Sequence, residues 1–439
     1  MIHVPPAIPL VAIINSVAEL FLAVLLLWSP RTPVYTEDVA PILQANCVSC
    51  HRPGQVAPFS LLTYDDAQKR AQLIAGTTRS RTMPPWGPVA PRFAGERRLT
   101  DKQIETLAKW AAAGAPEGNP AKLAKPTRFA DGWQLGEPDI TVELPAEFEV
   151  PAEGKDLYEC FVIPVRKVPA GRYIRAMEFR PSNRRVVHHA LLFTDTSHIQ
   201  LPPNYSCFGS IGVLPTNGLG GWSPGNGASQ MLDGAAIPLQ PGSRIIAQVH
   251  YHPTGKPEKD RWTVALYLTE KAPTRHVVDV GLTSRRIDIP AGEAEYIVRD
   301  HFTLPVDVRV VGIIPHAHYV CRNMQGWAIL PSGKKIHLLD IRDWNFTWQD
   351  QYRYRQPILL PEDTRLEMEF TYDNSAANPR NPHSPPERVT WGAGVDDEMA
   401  GLHIQAIPVR MEDLPELGKA LWGKVMRQAG GSFYRLPSR

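Results

Sequence analysis

Polar and apolar positions change rhythm along the chain. Over residues 364–373 they alternate strictly, with Leu366, Met368, Phe370 and Tyr372 on one side and Arg365, Glu367, Glu369 and Thr371 on the other. A period of two is that of a strand with one buried face. Residues 244–251 and 262–268 read similarly, and short runs of this kind, separated by turn residues, recur from Asp139 onward. The predicted fold class is therefore mainly β. Because the stretch is too long for one small sandwich, two antiparallel β-sandwich domains are expected, over 139–272 and 273–412.

Residues 33–114 follow a helical period instead and predict a small all-α domain. Thr36 is placed to cap a short helix bearing Val39, Ile42 and Leu43. Thr63 and Asp66 have capping-box spacing for a helix through Lys69 and Leu73. Thr100 and Gln103 form a second box, flanked by Leu99 and Ile104, for a helix through Leu107 and Trp110 that stops at Gly114. Residues 115–138 carry Pro116, Pro120, Pro126 and Pro138 without a sustained period and read as a linker. The tail, 413–439, places Leu417, Leu421 and Val425 at helical spacing.

The first thirty residues hold an apolar run, 8–28, interrupted by Asn15, Ser16 and Glu19. No basic residue precedes it, so it matches an export signal imperfectly, yet it is long enough to span a bilayer. Segment 1–30 is expected to be an export signal or a membrane anchor, which places the protein in the periplasm or outside the cell. A net charge of +2 leaves no nucleic-acid footprint. With 43 prolines against 32 glycines, turns and short strands are favoured over long helices.

Only five cysteines are present, and two of them lie in Cys47-Val48-Ser49-Cys50-His51. C-x-x-C-H is the attachment motif of a c-type haem, in which both thiols become thioethers and the histidine binds iron; a redox C-x-x-C pair is the alternative. Met83, in the proline-stiffened RTMPPW loop, is the candidate second axial ligand. This segment resembles the class I cytochromes c, in particular short modules fused to secreted bacterial oxidoreductases.

Histidines cluster further on. His316 and His318 end an apolar run, and residues i and i+2 of a strand share a face, so both imidazoles can reach one ion. His188 and His189 are adjacent, which puts them on opposite faces of an ideal strand; they can share a metal only where the strand is bulged or turned. His250 and His252, at i and i+2, fall on the face opposite Ile245, Ala247, Val249 and Tyr251. Imidazoles suit copper or zinc, whereas the thioether of Met399, after an acidic run, suits cuprous copper. Core histidines and a core methionine are the plainer alternative.

In this order the motifs resemble the copper type II, ascorbate-dependent monooxygenases, the family that includes the peptidylglycine α-hydroxylating and dopamine β-monooxygenases. LYEC at 157–160 is similar to that family's opening strand, VVHH at 186–189 to its paired histidines, QVHY at 248–251 to its third histidine, HAH at 316–318 to its second pair and DEM at 397–399 to its methionine ligand. The resemblance implies one electron-transfer copper on His188, His189 and His250, and a second, oxygen-binding copper on His316, His318 and Met399. It implies hydroxylation of a C–H bond of a small-molecule substrate with dioxygen and two electrons. The donor would be ascorbate or a redox partner, with the fused haem as carrier. His252 falls outside the pattern and would sit behind the ligands. The family's substrate-carboxylate arginine is Ile314 here and its tyrosine is His403, which argues against a glycine-extended peptide. The family also pairs the cysteine of its first strand with one after the paired histidines, implying a Cys160–Cys207 disulfide. A haem- and copper-containing electron-transfer protein without catalysis, or a structural sandwich with a docking cytochrome, are the competing expectations.

Overall fold

A computed structural model describes residues 31–129, 132–197, 199–207, 211–213, 215–232, 234–392, 394 and 396–428. The apolar run at 8–28 lies outside them. Among the described residues no helix is long and apolar enough to cross a membrane.

The chain divides into two units. One takes the described residues up to Val48 with Ser60–Met83 and Leu99–Pro126; the other takes Ser49–Phe59, Pro84–Arg98 and the described residues from Thr127 on. The block expected at 33–114 is thus interrupted twice, at 49–59 and at 84–98; the second segment leaves because Pro88–Ala90 pairs antiparallel with Lys335–Ile341 and Phe93 sits fully buried against Tyr352 and Tyr354.

The first unit is helical. Both capping boxes form: Thr63 accepts from the Asp66 N–H ahead of Tyr64–Gln68, and Thr100 from the Gln103 N–H ahead of Asp101–Ala112. The helix expected through Leu73 is instead two, Tyr64–Gln68 and Ala71–Arg79. The Arg70 guanidinium takes the Asp66 carbonyl that a continuing helix would bond to the Arg70 N–H, which turns to Ala67. Thr36 is not a cap. It lies inside a π-turn, Tyr35–Val39, whose entry is held by the Asp38 carboxylate accepting from Val34 N–H at 2.7 Å.

The second unit is mainly β, in antiparallel sheets. Strands β1 (Leu157–Pro164), β2 (Val187–Asp195) and β3 (Arg244–Tyr251) lie in one five-stranded sheet with β3 central between the other two. Their apolar residues, including Phe161, Leu192 and Val249, share a buried cluster with Phe179, Val264 and Leu266 of a second sheet containing Arg172–Arg180 and Thr263–Thr269. A disulfide, Cys160–Cys207, ties β1 to the segment after β2, and Cys321 is buried and unbridged.

A second buried cluster gathers later residues. Strands β4 (Val308–His316) and β5 (Ala400–Pro408) pair in a four-stranded sheet, with His316 opposite Gly401. Their Ile313, Leu402 and Ile404 meet Met324, Phe370 and Tyr372 from a five-stranded sheet that includes Arg365–Tyr372. There the predicted alternation is realised: all four apolar residues are buried and their neighbours are not. Each such side chain withdrawn from water is worth about 1.5–3 kcal/mol. The tail joins this body through Leu417 on the helix Leu414–Gln428, Leu417 being fully buried.

Candidate metal centres

The paired histidines of β2 sit on a bulge. His189 lies opposite His250, but the next partner of Tyr251 is Val187, so one extra residue, His188, is accommodated. That irregularity turns two adjacent side chains toward one point, as an ideal strand does not. The Nδ1 atoms of His188, His189 and His250 form a triangle with sides of 3.3, 3.1 and 3.3 Å. The point equidistant from them lies about 1.9 Å from each nitrogen, close to the roughly 2.0–2.1 Å of a metal–imidazole bond, so these three residues would fit a metal ion. Among the described residues this is a group of three donors able to hold a metal.

The outer nitrogens are fixed from behind. His250 Nε2 donates to Asp156 at 2.6 Å and His188 Nε2 to the Thr347 carbonyl at 2.5 Å, which selects the tautomer with the lone pair on Nδ1. Asp156 also accepts from His252 Nδ1 at 2.7 Å, so His252 stands outside the triangle. Tyr158 stacks on the His250 ring at 4.2 Å. Burial lowers the His188 pKa to about 4, reinforced by His250, and pushes His189 and His250 down as well. All three are neutral, the form that binds metal.

His316 closes β4 and His318 follows in irregular backbone just beyond the strand; their rings are 5.3 Å apart and nearly perpendicular. Because β4 and β5 are neighbours, Met399, one residue ahead of β5, comes to the same end. His316 Nδ1 donates to Gln349 Oε1 at 2.7 Å and His318 Nδ1 to the Asp397 carbonyl at 3.0 Å, placing the lone pair of each ring on Nε2. Burial lowers the His318 pKa to about 3, with His316 adding to it.

Glu398, fully buried, joins the two segments: its carboxylate accepts from the backbone N–H groups of His318, Val320 and Met399. Burial raises its pKa to about 8, against those hydrogen bonds. Two histidines and a thioether offer three donors and an open side, and cuprous copper accepts a soft sulfur ligand.

His189 and the trio His316, His318 and Met399 all line one cleft of about 360 Å³. Gln349, Asp350 and Gln248 line it too. Gln248 heads the QVHY motif and Asp156 is the residue ahead of the LYEC strand, but Gln349, Asp350 and Thr347 carry no signal in the sequence, since they come to the site only on one loop.

The haem motif is divided between the units. Cys47 belongs to the helical one, with Met83, which is 41% exposed; Cys50 and His51 belong to the β one. Both cysteines are half-buried. His51 Nδ1 faces the Phe59 carbonyl at 3.3 Å, the tautomer in which Nε2 carries the lone pair.

No family model matches the chain, and no curated protein sequence matches it. Some solved structures are similar at a low level. The major capsid protein P2 of bacteriophage PM2 aligns at 11% identity over 62% of this chain and 97% of that one, with a TM-score of 0.27. The infectious bursal disease virus VP2 subviral particle aligns at 8% over 62% and 72%, TM-score 0.20, and the PBSX exported protein XepA at 8% over 58% and 91%, TM-score 0.17. At such TM-scores the likeness carries no argument. The chemistry rests on the side chains.

Proposed function

We propose that the chain is an extracytoplasmic copper monooxygenase that hydroxylates a C–H bond of a small molecule, with electrons delivered through a fused c-type haem. The main support is the shared cleft: the triangle of imidazoles contributes His189 to it, and the mixed His/Met set contributes all three of its donors. Two donor sets of different softness opening on one cavity suit a one-electron relay beside an oxygen site. The order of motifs that resembles the copper type II, ascorbate-dependent monooxygenases points the same way, and 139–272 and 273–412 are read here as the two sandwich domains of that family. The disulfide fits an oxidising compartment.

In this reading His188, His189 and His250 hold one copper, His316, His318 and Met399 the other, and Cys47, Cys50 and His51 the haem, with Met83 as its second axial ligand. Bound copper would supply the one-electron reduction of dioxygen that no side chain can perform. The protein's part is orientation: Asp156, Thr347 and Gln349 lock ring tautomers, and Glu398 fixes the backbone of His318 and Met399. The overall change balances as R–H plus dioxygen plus two electrons plus two protons giving R–OH plus water.

Metal analysis of chain purified from a haem-maturing host should give two coppers and one iron. Ascorbate-supported oxygen uptake should then respond to candidate substrates. A fully metallated chain that hydroxylates nothing would instead be an electron-transfer protein, and absence of copper would remove the proposal.

A further inference from the structure

Every charged group on the wall of the 360 Å³ cleft is already paired. Asp350 accepts from Arg97 at 2.5 Å and from Asn226 at 3.3 Å. His403 Nδ1 donates to Asp279 at 2.7 Å. The remaining ionisable groups on the wall are the three candidate ligand histidines and Tyr158. Among the described residues, no lysine or arginine lines the cleft. A carboxylate, phosphate or ammonium entering it would shed water and meet no free counter-charge from the side chains themselves, which is disfavoured.

What the wall does offer is apolar surface with one donor in need of a partner. Ala190, Leu191, Trp222, Ile314 and Pro315 form the apolar part. Gln349 Oε1 is used by His316, but its Nε2 is buried and has no hydrogen-bond partner among the described residues. An unsatisfied buried amide is costly, and an acceptor atom on a bound molecule would relieve it.

We infer that the cleft selects an uncharged, largely apolar small molecule carrying a hydrogen-bond acceptor, which Gln349 Nε2 holds beside His316. This rests on the cleft being the substrate site of the proposed monooxygenase. Its selectivity, however, can be measured on the full chain with or without metal.

Titration calorimetry would compare 3-phenylpropanamide, 3-phenylpropanoate and propylbenzene, with copper content determined on the same samples. The amide should bind about tenfold or more tighter than either the carboxylate or the hydrocarbon, one charge or one missing acceptor being worth at least that. Gln349→Glu keeps an acceptor for His316 but removes the donor, and should abolish the preference for amide over hydrocarbon. Ile314→Lys should admit the carboxylate. Equal binding of amide and carboxylate by the wild type, binding of no probe, or an unchanged amide preference in Gln349→Glu overturns the inference. A chain that takes up no copper when it is supplied, yet still prefers the amide, would remove the monooxygenase while leaving the selectivity in place.

Discussion

Met399 and His318 set the chemistry at the scale of single residues. Met399→Leu keeps the approximate volume, at a cost below about 1.5 kcal/mol, but removes the soft donor. X-ray absorption of the cuprous protein should lose its sulfur scatterer while circular dichroism stays unchanged. A retained sulfur signal would show that another atom is the ligand. For His318, burial lowers the folded pKa to about 3, whereas an unfolded histidine titrates near about 6.5. The unfolded chain therefore binds more protons between these values. Stability is complete above the unfolded value and is lost as pH falls through the window toward the folded one. The thermal midpoint of copper-free protein should drop on acidification from pH 6.5 to 4, and less steeply in His318→Gln; parallel curves for the two proteins would contradict the assignment.

Strands were legible in sequence where their faces differ, and the devices that join them were not. Arg365–Tyr372 follows its alternation residue by residue, and both capping boxes form. The bulge in β2 could be stated only as a condition, because a one-residue register shift is decided by the partner strand. The strand Pro88–Ala90 looked like part of a helical block, since three residues carry too little period to betray a pairing far along the chain. Long-range supports such as Asp156 on His250 have no local signature at all. The disulfide between β1 and the segment after β2 spans 47 residues. In the chain-entropy treatment a loop of that length stabilises by about 4 kcal/mol. Cys160→Ser together with Cys207→Ser should lower the urea midpoint accordingly, and an unchanged midpoint would mean the bridge constrains little in the unfolded chain.

For the whole molecule, the question is whether the haem feeds the copper. Covalent attachment keeps a carrier at an effective concentration on the order of millimolar for a short flexible connection. With the haem reduced anaerobically and oxygen and substrate then added, its absorbance should report rapid reoxidation in the wild type and little in His188→Ala. Equal rates in both proteins would mean the haem reduces something else. A second consequence follows from the short stretch between Asn345 and Gln351. Its Thr347 carbonyl orients His188, and two residues later Gln349 orients His316. One span of backbone thus acts as a common strut for the two donor sets, and a shift at either end is carried to the other. Filling the first site should therefore prepare the second, and cuprous ion should load with positive cooperativity, its Hill coefficient above one. Inserting a glycine after Trp348 should decouple the steps and bring that coefficient back to one.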